Sequence, residues 1–223
     1  MKKTILLAAM LISFRFSFAQ FEGVLTYDCT HTNKVVMTIY ESPSKARVET
    51  QIYPLKNGVP DMANVNNQNV VIFDFAKKTE MHLLSYRNTA TITQYTAVIG
   101  EQAMKLSDAD IEVQTVGPEK IGQFNCTHFI LKIKKAKKDL WITNDLGNSN
   151  LLVASEFLYY PAGCMIADKL IKAGANGVVV KAQGDLLITN LVKYEKKSVA
   201  SSSFQPPSNY STVDNSAFMP KGK

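Results

Sequence analysis

Cys126 and His128 stand two residues apart in a stretch that alternates like a β-strand, so their side chains share a face and could pair as thiolate and base. No other spacing in the chain comes as close to a catalytic signature. A cysteine nucleophile ordinarily takes its base from elsewhere in the fold, which favours the competing reading of an inert thiol beside an unrelated histidine. Cys29 and Cys164 complete an odd set of three cysteines, enough for one bridge and one leftover thiol. Cys126 and Cys164 flank the segment holding Trp141 and form the candidate disulfide, with the other two pairings left open. His31, His82 and His128 fall in three separate strand-like stretches, and no Cys-x-x-Cys or His-Glu-x-x-His cluster occurs, so neither a metal site nor a cofactor is expected. Asp108, Asp110 and Glu112 alternate along one expected strand and are read as its solvent face rather than as calcium ligands. Gly-x-Ser-x-Gly elbows, phosphate-binding glycine loops and dinucleotide fingerprints are all missing. The expectation is a protein that is not an enzyme and has no catalytic residues, with a thiol enzyme using Cys126 and His128 as the remote alternative.

The apolar residues are more suggestive. Met37, Phe73, Phe129, Trp141 and Phe157 are the candidate ligand-lining set, part of an apolar surplus larger than one thin sandwich needs. Such residues pack either against one another or against an apolar guest. The first case makes the protein an envelope interaction or structural module with a self-filled core. The second makes it a binder of a lipid or another apolar ligand.

Whatever these side chains do, short strands must position them. From Phe21 onward, runs rich in Val, Ile, Thr, Tyr and Phe are separated by Asn, Gly, Pro, Asp and Lys clusters. The expected strands are 22–30, 34–40, 47–53, 70–75, 79–86, 89–98, 111–116, 124–134, 139–143, 177–182 and 186–194. In the second of these, Val35, Met37 and Ile39 share one face and Val36, Thr38 and Tyr40 the other, as in a strand covered on both sides. Residues 55–69 read as a long polar loop. The period changes to that of a helix only between Asn148 and Gly174, where Leu151, Leu152, Ala154, Phe157 and Leu158 suggest one helix and Met165, Ile166 and Leu170 a second. The fold class is therefore mainly β (α+β): a curved antiparallel sheet or incomplete barrel of about 10–11 strands with two short helices late in the chain.

Residues 1–19 carry the marks of an export signal: Lys2 and Lys3, an apolar run from Ile5 to Phe14 too short to span a bilayer, and small residues Ser17 and Ala19 before the expected cut. Cleavage after Ala19 implies a periplasmic or secreted protein with no transmembrane segment. Residues 20–197 then form a single β-rich domain, and 198–223 a closing segment with a disordered tail over the last dozen residues. The formal charge of +6 loses Lys2, Lys3 and Arg15 with the signal, which removes the main support for nucleic acid as a partner. What basic excess remains gathers at Lys132, Lys134, Lys135, Lys137 and Lys138. It reads as a solvated, edge-protecting turn, with acidic lipid headgroups or an acidic protein surface as the alternative.

The stretch Lys120-Ile-Gly-Gln-Phe-Asn-Cys-Thr-His-Phe129, followed by Asp139-Leu-Trp-Ile-Thr-Asn-Asp145, resembles a family of exported bacterial domains of unknown function. So do the opening strand Phe21-Glu-Gly-Val-Leu-Thr-Tyr27 and the closing Phe204-Gln-Pro-Pro-Ser-Asn-Tyr210. Ile121 directly after Lys120, and Phe124 in the aromatic place, depart from the family's pattern. The resemblance implies a LolA/LolB-like architecture, an incomplete antiparallel barrel wrapping helices round an apolar cavity, and with it a lipid or acyl-chain ligand or an envelope protein partner. It transfers no catalytic residue.

Overall fold

The computed structural model describes residues 20–30, 33–65, 67–94, 107–150, 163–184 and 187–215. The expected helix over 151–158, His31 and Phe157 lie outside them.

Strands β1 (Gly23–Thr30), β2 (Lys34–Glu41) and β3 (Lys45–Tyr53) form a meander in continuous antiparallel register. A two-stranded hairpin, β4 (Leu55–Lys56) and β5 (Val59–Pro60), interrupts the chain before β6 (Asn67–Asp74), β7 (Thr79–Leu84) and β8 (Thr89–Gln94) continue the meander. The second arm contains β9 (Ile111–Ile121), β10 (Phe124–Ile133), β11 (Ala136–Asn148), β12 (Gly177–Gly184) and β13 (Ile188–Lys196). Between β11 and β12 lies the described helix, α1 (Gly163–Lys172). A last strand, β14 (Ser211–Asp214), pairs in parallel with β8.

All but β4 and β5 join one twelve-stranded sheet ordered β14-β8-β7-β6-β3-β2-β1-β13-β12-β11-β10-β9. Its two edges do not meet, so the sheet is open rather than a closed barrel. Alternation along the strands decides which residues it buries. Leu25, Ile39, Val48 and Val71 form one cross-strand row, and Ala46 and Phe73 continue the row that begins at Glu41. These side chains join Phe129, Leu131 and Leu140 of the other arm and Ile166 and Leu170 of α1 in one core.

The arms join where β13 pairs with β1 along the whole of β1, and the pairing loosens one strand further on. β12 pairs with β13 only from Lys181 to Gln183, leaving Val179 outside that ladder. The Tyr27 hydroxyl, wholly buried, donates to the Val179 carbonyl at 2.9 Å and satisfies it there. At the start of β12 the chain passes close to β11: a Cβ on Gly177 would fall 2.1 Å from the Thr143 carbonyl oxygen, so only glycine fits.

A second cluster lies on the other face. Val70, Ile72, Leu83 and Ala90 are covered by Phe204, with Tyr40, Val199 and Tyr210 around them. The chain from Lys197 to Asn215 thus forms a strap over the back of the sheet, ending in β14. Of the last dozen residues, Thr212, Val213 and Asp214 pair with Ala90, Thr91 and Ile92, and 216–223 lie outside the described residues.

Candidate functional site

The concave face is built where the alternating apolar rows of β1, β2, β3 and β6 meet those of β10 and β11. Three of the expected ligand-lining residues fall in it: Met37 (2% exposed), Phe73 (1%) and Phe129 (2%). They sit on three separated strands and belong to one continuous apolar core. Beyond Phe73 and Val71 the same face turns polar, because their partners across the ladder are Glu80 and His82, which in turn face Thr93 and Thr91. Glu80 Oε1 lies 3.1 Å from His82 Nε2 and accepts from the Thr93 hydroxyl at 3.4 Å. The face is therefore amphiphilic, with an apolar middle and a polar end.

Trp141 belongs to the same buried core and is 8% exposed. In the β10–β11 ladder it lies opposite His128, one row along from the Phe129–Leu140 pair. There its indole stacks on the His128 ring at a centroid distance of 4.5 Å, and Lys181 Nζ lies 4.5 Å from its centre. The indole N–H donates to Glu119 at 2.7 Å. A tryptophan clamped in this way supports the sheet.

His128 is held by the same cluster. Its Nε2 lies 2.8 Å from Asp139 and its Nδ1 3.5 Å from Glu119. Cys126 is a free, buried thiol whose Sγ contacts the Phe124 carbonyl oxygen at 3.9 Å, so the expected bridge to Cys164 is not formed at its Cys126 end. The side chain of Cys164 lies outside the described residues. Burial pushes the Cys126 thiol up to about 11, with Asp145 and Glu119 adding to the effect. Only about one thiol in ten thousand is then ionised at pH 7. Alkylation of Cys126 by iodoacetamide at pH 7.5 should accordingly be at least tenfold slower in the folded protein than after denaturation. Equal rates would restore the nucleophile reading.

The acidic row also departs from expectation. Asp108–Asp110 forms a short 3-10 turn, Asp110 accepts from the Ser107 amide and hydroxyl, and Glu112 pairs with Lys132. Among the described residues no group of three or more His, Cys, Asp or Glu could hold a metal ion.

A polar residue not singled out in the sequence lies in the core. Glu41, fully buried at the end of β2, shares its strand face with Val35, Met37 and Ile39. Its carboxylate accepts from the Ser149 hydroxyl and the Asn150 amide, each at 2.8 Å, and from the Gln20 side chain. Burial raises it to about 7, although these hydrogen bonds pull the other way. Gln20 also lines a cleft of about 350 Å³ whose walls include Phe21, Glu22, Asn144, Leu146 and Lys196. The alternation of β2 was the available signal for Glu41, since the fourth residue of an otherwise apolar face is a carboxylate.

The described residues form one large open sheet, antiparallel except at β14, with a buried apolar face. The chain belongs to the family described as Domain of unknown function (DUF4412), which matches residues 21–210. Among solved structures, PNGF-II is similar at a TM-score of 0.50 and 14% identity, over 89% of this chain and 32% of that one. This chain therefore spans about a third of the length of PNGF-II. An uncharacterized conserved protein from Thermus thermophilus matches at a TM-score of 0.49 and 10% identity, over 86% of this chain and 89% of its own. A putative outer membrane lipoprotein-sorting protein domain from Vibrio parahaemolyticus matches at a TM-score of 0.26 and 6% identity, over 82% and 88%. At 14% identity the likeness to PNGF-II is one of fold alone. No curated protein matches the sequence.

Proposed function

We propose that this is a non-enzymatic protein of the bacterial envelope that binds a lipid or similar apolar ligand against the concave face of its sheet. The observation that carries the reading is the amphiphilic character of that face: an apolar run through Met37, Phe73 and Phe129 ending at Glu80, His82 and Thr93. A chain-like apolar body with a polar head would match both parts. The signal-like residues 1–19 support export, and no helix among the described residues is long and apolar enough to cross a membrane. A second reading, an envelope interaction module whose core is filled by its own side chains, is favoured by the near-complete burial of Met37, Phe73 and Phe129.

Native mass spectrometry of protein purified gently from a bacterial periplasm, followed by organic extraction, separates the two. The expected result is a stoichiometric adduct of lipid mass that is recovered in the extract. A clean mass with an empty extract would overturn the binding reading in favour of the self-filled module.

A further inference from the structure

The antiparallel register places the end of β3, the start of β6, the end of β7 and the start of β8 on one rim of the half-barrel, because Ile52 pairs with Asn67, Val70 with Leu83 and Leu84 with Thr89. Two connections project from this rim side by side. The longer one, residues 54–65, carries the β4–β5 hairpin and a turn in which Asp61 Oδ1 accepts from the Ala63 amide and Oδ2 from the Asn64 side chain. The shorter one holds the 3-10 turn Ser85–Arg87.

The longer connection, read from sequence as polar, exposes Leu55, Val59 (64%), Met62 (56%) and Val65. Its neighbour exposes Tyr86 (75%). Single exposed apolar residues are ordinary, but five on two adjacent loop tips form a group that a soluble surface does not need. Charge narrows what would cover them. Lys56 sits on the hairpin itself, and the Arg87 guanidinium lies 5.2 Å from the Tyr86 ring centre. The single acid of residues 54–65, Asp61, is turned into its own loop. Farther along the same rim, the β10–β11 turn adds Lys134 and Lys135, with Asp108 and Asp110 beside it.

We propose that this rim docks onto an anionic lipid surface, the hairpin tip entering the acyl boundary while Lys56 and Arg87 meet the phosphates. Short apolar tips flanked by basic residues and a tyrosine suit an interface in which apolar atoms must be submerged and cations must stay at headgroup level. A protein partner would need a flatter, continuous face, whereas these residues sit on separate projecting turns. The proposal goes beyond the ligand reading and does not depend on it. It says how the protein would approach a bilayer, whatever the concave face holds.

The test is flotation of the exported protein with vesicles of phosphatidylglycerol and phosphatidylethanolamine at low salt, compared with a V59D/M62D double variant and a K56E/R87E double variant. Both changes fall on exposed turns, and unaltered circular dichroism and native mass spectra establish that fold and any bound ligand survive. The wild-type protein is expected to float, with the bound fraction falling at least tenfold in V59D/M62D and several-fold in K56E/R87E or on neutral phosphatidylcholine vesicles. Absence of wild-type flotation, or flotation that V59D/M62D leaves unchanged, would overturn the proposal, while the native mass spectrum reports independently on the ligand reading.

Discussion

The wild-type protein is expected to lose about 3 kcal/mol of stability between pH 4.5 and pH 7 through Glu41 alone, and Glu41→Gln should abolish that part of the slope. The sign follows from the direction of the shift. A carboxyl raised from its ordinary value of 4.5 to about 7 on folding binds its proton more tightly in the native state than in the unfolded one. Its favourable contribution is complete below 4.5 and fades as the pH climbs through 7. Above that, the fold must hold an ionised carboxylate in the core. Hydrogen bonds from Ser149, Asn150 and Gln20 soften that cost without removing it.

Urea denaturation of both proteins at pH 5 and pH 8 checks this. The difference between the two pH values should be about 3 kcal/mol smaller in Glu41→Gln than in the wild type. Parallel pH profiles would mean that Glu41 keeps an ordinary affinity for its proton, and the burial argument would then be wrong.

How far the sequence could be read depended on whether a feature was carried by local alternation. β1, β2, β6 and β13 begin or end within a few residues of their expected positions, because a period of two with apolar bulk on one or both faces is strong enough to mark them. The helix expected from Met165, Ile166 and Leu170 is present as α1 for the same reason, its apolar positions recurring at the helical period. β9 runs past its expected end at residue 116 through Gly117 and Pro118, because it lies at an edge where an unpaired proline nitrogen costs nothing.

Trp141 was legible as a buried aromatic, but its stacking on His128 and its bond to Glu119 were not. The register of β11 against β12 shifts between Trp141 and Ile142, and no composition rule announces such a break. The candidate site was legible in the same uneven way. Met37 and Phe73 follow from alternation, whereas the polar end at Glu80 and His82 appears only once β6 and β7 are paired. Cys126 and His128 show the limit of a local motif. Two residues apart in sequence, they are committed to different surroundings, one to a carbonyl in the core and the other to a tryptophan and two carboxylates.

The strap is the feature the sequence hid most completely, and Phe204 is where it is tested. A Ser-rich, Pro-containing segment has little core-building content, yet it docks through one large side chain that is 5% exposed. The docking site is made by outward residues of β6, β7 and β8, and the backbone helps fix the path: Arg47 donates to the Ser203 carbonyl at 3.3 Å and Ser211 N–H to the Asn88 carbonyl at 2.9 Å. Phe204→Ala is expected to cost about 3–4 kcal/mol, the range for emptying a buried phenylalanine site that cannot collapse because a sheet forms its floor. Hydrogen exchange separates this from a general softening of the core. Amides of Thr212 and Val213 should lose protection in the variant, since β14 is attached to β8 only at the strap's far end, while Leu25 and Ile39 keep theirs. A cost below about 1 kcal/mol with β14 still protected would mean that the strap is held by its backbone contacts alone. The expected result instead makes the strap's single aromatic the clasp that keeps Val70, Ile72 and Leu83 out of water and lets a large open sheet exist without exposing its back.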